Sequence, residues 1–144
     1  MFSPRKSVVR IERRPRGAAA VEMALVAPLL ILLFLGCVDL GRFVHSYVMV
    51  TNAAAEAATF GSLNPPSDFN GGYEPWRTAV KQAAIDEAPG LVPPINPDDV
   101  FHEGVLTGGV VQVRVDYPFE TLVDWPGIPH QVTLTRQTVM PQTR

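Results

Sequence analysis

Arg16-Gly17-Ala18-Ala19-Ala20-Val21-Glu22-Met23 leads directly into an apolar run at residues 24–38. From residue 18 to residue 38 the only ionisable side chains are Glu22 and the Cys37 thiol. As a helix, that span reaches ~31 Å, the thickness of a bilayer's hydrocarbon core. It therefore reads as a membrane span with one acid in it. An acid at the centre of a span costs roughly 2.5–3.5 kcal/mol, and less near the edge, where Glu22 lies. A carboxylate there still calls for a partner, because an unpaired charge in hydrocarbon is heavily penalised. Cutting the chain after Gly17 creates one. The new ammonium group of Ala18 sits at similar depth, and the amine of one copy can meet Glu22 of its neighbour. The simpler alternative is an interfacial acid that snorkels to the headgroups.

Charge on either side of this block is uneven. Residues 1–16 hold six basic side chains against Glu12 alone, a net +5, and the remainder carries a net −7. A basic stretch directly before an apolar span orients the N-terminus inward and the C-terminal part outward. This predicts a single-pass protein of the cytoplasmic (inner) membrane and argues against a nucleic-acid partner. Three regions follow: a basic cytoplasmic leader at 1–17, a transmembrane and stalk helix at 18–60, and a small exported head at 61–144.

Pro28 lies inside the helical stretch and removes a backbone donor, so a kink is expected there. From Asp39 onward the pattern becomes amphipathic. Leu40, Phe43, Val44, Tyr47, Val48, Thr51, Ala54, Ala55 and Ala58 recur at helical spacing and predict the face that packs on the head. Gly61 suits a C-terminal cap. A short helix is expected at 75–88. The period then becomes two, predicting strands at 100–106, 110–117 and 130–140. In the second, Val111, Val113, Val115 and Tyr117 share one face. The expected fold class is α+β: a long N-terminal transmembrane and stalk helix packed on a small antiparallel sheet head with one short helix.

No catalytic constellation is visible. His45, His102 and His130 fall in different elements, and Asp98, Asp99 and Glu103 lack the spacing of a calcium loop. Cys37 is the only cysteine, which rules out a disulfide within the chain and a cysteine-based metal site. We expect no enzyme activity, no cofactor and no metal.

The ordered blocks carry a resemblance. Basic leader, glycine, small residues, and an acid at the fifth position after the glycine resemble a class III prepilin signal. Residues 16–30, then Asp39-Leu40-Gly41-Arg42, then Val50-Thr51-Asn52-Ala53-Ala54-Ala55-Glu56-Ala57-Ala58, resemble the TadE-like pseudopilins of the bacterial tight-adherence (Tad) pilus system. Met23 stands where that family usually has Phe or Tyr, and Thr59 follows the second alanine pair where an Arg is common. The resemblance implies a pilin-like fold and a minor pseudopilin of a Tad/Flp-type pilus, acting in pilus assembly or adhesion. It implies cleavage by a prepilin peptidase between Gly17 and Ala18, with Glu22 used later in assembly. The implied partners are that peptidase, other Tad pseudopilins, the major pilin and the inner-membrane assembly platform. The alternative is an uncleaved bitopic anchor displaying a ligand-binding head. A lipid anchor at Cys37 is a variant of it, since Phe34-Leu35-Gly36-Cys37 loosely resembles a lipobox.

Overall fold

The computed structural model describes residues 16–106 and 109–142, with backbone alone at residues 16 and 102–106. Residues 1–15 of the basic leader, and Thr107 and Gly108 of the predicted first hairpin turn, lie outside the described residues. The chain divides into two compact units, Met1–Gly36 and Cys37–Arg144. Helix α1, Arg16–Leu63, passes through both.

Within the first unit α1 is helical without a break through Pro28. Val21, Leu25, Leu29 and Phe34 are each more than 60% exposed. The helix is long and apolar enough to cross a membrane, and none of its most apolar 18-residue window is buried within the molecule. A core helix of a soluble domain would bury such a window. This one presents its apolar side chains outward on all sides, as a membrane segment does.

The second unit is an α+β head. Helix α2, Tyr73–Glu87, follows α1, with Gly72 at its N-cap in the left-handed region at φ 75°, where a side chain would be strained. Glu74 lies in its first turn, where the helix dipole favours an acid. Trp76, Val80 and Ala84, one turn apart, are buried. Strands β1 (Val100–Leu106), β2 (Val110–Glu120) and β3 (Gln131–Pro141) form one antiparallel sheet with β2 central. Val111, Val113, Val115, Tyr117 and Phe119 all point inward, so the period-two pattern is realised along β2. The register shifts between Glu103 and Val105, a bulge in β1.

The core lies between this inner sheet face and the two helices, with Val50, Ala53, Ala57, Trp76, Val80 and Val113 all fully buried. Its apolar side chains are each worth roughly 1.5–3 kcal/mol on burial when as large as valine or tryptophan. The outer sheet face is polar. Arg114 pairs with Asp116 at 3.1 Å and lies 4.6 Å from the centre of the Phe101 ring, while Thr135 donates to Asp116 at 2.7 Å.

Two expectations change. Of the predicted face, Ala54 and Ala58 are fully buried and Phe43 packs against the core, but Leu40, Val44 and Val48 are 64%, 52% and 48% exposed, while the buried face takes in Asp39, Ser46, Val50, Ala53 and Ala57. At about 100° per residue, the buried face is rotated by roughly a quarter turn from the predicted one. Apolar residues occupy two sides of this helix, and the side facing the head combines the small Ala53 and Ala57 with Asp39, whose carboxylate bonds the loop after β2. Gly61 does not cap the helix. α1 continues to Leu63, past the expected end at residue 60. An added Cβ at Gly61 would meet Val111 at 3.0 Å and Trp76 and Val80 at 3.3 Å, so the glycine permits close packing. Asn64 closes the helix instead, its side chain and backbone N–H both donating to the Phe60 carbonyl.

Candidate functional site

Gly17, Ala18 and Glu22 all lie on the first turns of α1 and are exposed. A Cβ built on Gly17 meets nothing within 4 Å, so the backbone there is open to an approaching group. Glu22 shares a shallow hollow with Ala19 and Val26, one helical turn away on either side, and with the adjacent Met23. Among the described residues, the first carboxylate after Glu22 along α1 is Asp39. Pro28 is exposed, and the helix continues on both sides of it.

Asp39 is the first residue beyond the apolar run, and the head is built onto it. Its carboxylate is only 7% exposed. Oδ1 accepts from the Leu122 backbone N–H at 2.9 Å and from Arg42 at 3.2 Å, and Oδ2 accepts from the Trp125 indole N–H at 3.0 Å. Arg42 also donates to the Glu120 carbonyl at 3.2 Å and rests 5.5 Å from the centre of the Phe119 ring. Phe43 packs edge-on against Phe119 at 5.4 Å. One turn of α1 therefore holds the end of β2 and the loop that follows it. Burial alone would push the Asp39 carboxyl up. The hydrogen bonds from Trp125, Leu122, Arg42 and the Val123 backbone outweigh it and hold the group below its ordinary 3.8.

The loop between β2 and β3 is closed by its own bonds. The Thr121 N–H donates to the His130 carbonyl at 3.0 Å, and the Thr121 hydroxyl donates to the Val123 carbonyl at 2.9 Å. Within it, Ile128 N–H donates to the Trp125 carbonyl at 3.1 Å, and Gly127 has φ 82°. Proline followed by a glycine at positive φ is the signature of a type II turn. His130 lies 2.9 Å from Asp124.

This lock is the functional feature that residue patterns alone did not single out. Its signal was present: an acid immediately after the apolar run, an Arg three residues on, and an indole in an irregular loop. The alanine block falls elsewhere. Ala53, Ala54, Ala57 and Ala58 are fully buried by the chain's own α2 and sheet. Trp76 is core and lies 5.4 Å, ring centre to ring centre, from Tyr73, while Trp125 belongs to the lock. Asp86 and Glu87 are exposed at the end of α2. Among the described residues, no three His, Cys, Asp or Glu side chains come together as a metal site would need. The Cys37 thiol is free and exposed.

A family model described as TadE-like protein matches residues 17–59. That segment holds Gly17, Ala18, Glu22, the Asp39–Arg42 turn and the buried alanines. No curated protein and no solved structure matches the chain.

Proposed function

The chain is TadE-like over residues 17–59, and on that premise we propose that it is a minor pseudopilin of a Tad/Flp-type pilus. A membrane prepilin peptidase cuts it between Gly17 and Ala18. It is held in the cytoplasmic membrane by the apolar part of α1, with its head on the outer side. It then joins other pseudopilins, the major pilin and the inner-membrane assembly platform. Its own role is structural: the covalent chemistry is done to it, not by it.

The observation that carries this reading is Glu22, the lone carboxylate of the apolar stretch 18–38, whose most apolar window is not buried in this chain. Hydrocarbon does not solvate that charge, so within the span a cationic partner would stabilise it. The Ala18 amine created by cleavage is such a partner, supplied by a neighbouring copy or another pseudopilin. Two substitutions test the proposal in cells with an active peptidase. Gly17→Glu should leave full-length precursor. Glu22→Ala should still be cut but should assemble poorly. Normal pilus formation by the cleaved Glu22→Ala protein would remove the pairing argument.

A further inference from the structure

The loop between β2 and β3 carries two large apolar side chains turned outward: Leu122 is 56% exposed and Ile128 is 57% exposed. An isolated exposed Leu is ordinary, but these two belong to one short loop whose backbone is fixed. Its neck is closed by Thr121 and His130, and the turn at Trp125–Ile128 is set by Pro126 and Gly127. The loop is also fixed in height along α1. Leu122 N–H and the Trp125 indole both donate to Asp39, the residue that directly follows Cys37 and Val38 at the end of the apolar run. Leu40, beside Asp39, is 64% exposed as well.

We propose that this loop is a membrane-contacting surface: Leu122 and Ile128 sit in the headgroup layer of the outer leaflet, seating the head on the lipid surface. The inference rests on the membrane reading of residues 18–38. If that run spans the bilayer, Asp39 emerges at the outer interface, and the loop whose Leu122 N–H and Trp125 indole bond its carboxylate is held near that residue's level. The loop is thus tied to the residue that directly follows the apolar run, and lipid is the occupant that the end of such a run meets. Amphipathic aromatic side chains are favoured at that level, and Trp125 meets the requirement with its N–H satisfied by Asp39 and its ring half-buried. Asp124, 89% exposed and paired with His130, limits the contact to the headgroup layer.

The test is spin-label accessibility on the full chain in vesicles of phosphatidylethanolamine and phosphatidylglycerol. In a Cys37→Ala background, single labels are placed through Ile128→Cys, Asp98→Cys and Leu30→Cys, all at exposed positions. Oxygen reports lipid and a water-soluble nickel chelate reports water. The expected result is an oxygen-to-nickel ratio at 128 severalfold above that at 98 and shifted toward that at 30. A water-like ratio at 128 with a lipid-like ratio at 30 would overturn the inference and leave the span intact. Shielding of 128 from both reagents would overturn it in favour of a protein neighbour. A water-like ratio at 30 would overturn the membrane reading itself, and this inference with it.

Discussion

Replacing Asp39 with alanine should loosen the head more than any other single change on α1 outside the core. The carboxylate is almost fully enclosed and accepts hydrogen bonds from Arg42, the Leu122 backbone and the Trp125 indole, among others. Hydrogen bonds to a charged group are worth ~1.5–3 kcal/mol each. The Arg42 pair contributes less, because Arg42 is 39% exposed and water screens it, leaving ~0–1 kcal/mol. The bonds from Leu122 and Trp125 are the larger part, and their donors regain some hydration when the loop opens. The net loss is ~2–4 kcal/mol, a fall in the head's melting temperature on the order of 10 °C. The assay is thermal unfolding of the full chain in detergent, followed by near-UV circular dichroism, together with hydrogen exchange at the Leu122 amide. Exchange there should accelerate in Asp39→Ala. Acid should act in the same direction. A carboxyl held below its unfolded-state value adds stability that is fully present above that value and is lost as pH falls through the folded-state value. The advantage of the natural protein over Asp39→Asn should therefore shrink as pH drops below 3.8. A melting temperature and a Leu122 exchange rate unchanged in Asp39→Ala would refute the lock.

Other outcomes follow from the same packing. Gly61→Val forces a branched side chain against Val111, Trp76 and Val80 and should cost ~1–3 kcal/mol or more by overpacking, read as a lower unfolding midpoint. In a double-mutant cycle, Trp125→Phe and Asp39→Ala should couple by ~0.5–3 kcal/mol; additivity would separate them. Burial, only partly offset by the Arg42 charge, raises the Tyr117 phenol above its ordinary 10.0. Its neutral form thus adds stability that is fully present below pH 10.0 and is lost as pH rises through the folded-state value, so Tyr117→Phe should melt less steeply with alkali than the natural protein.

Much of this architecture was legible because it is written in short-range pattern. The apolar run after Arg16 marks α1, and strict alternation marks the inward face of β2 from Val111 to Tyr117. The bounds of β1 coincide with the expected 100–106. What pattern did not carry is long-range and polar. Asp39 meets Leu122 and Trp125 more than eighty positions away, and no local periodicity encodes such a pairing. That acid lies on the buried face of α1, whereas Leu40 and Val44 are exposed. Gly61 shows a related ambiguity. A glycine near a helix end reads equally well as a cap or as a close approach, and only the neighbouring Val111, Trp76 and Val80 decide between them. At the N-terminus, by contrast, Gly17, Ala18 and Glu22 were singled out by local sequence and by the family resemblance, and α1 holds all three at exposed positions, which leaves their roles to experiment.

The central claim is that this chain is cut after Gly17 and that Glu22 then serves the new N-terminus. The most direct measurement is the intact mass of the protein recovered from membranes of cells with an active prepilin peptidase, with N-terminal sequencing beside it. A chain beginning at Ala18 is the predicted result. A chain that still begins at Met1, or a lipidated one that begins at Cys37, would contradict it.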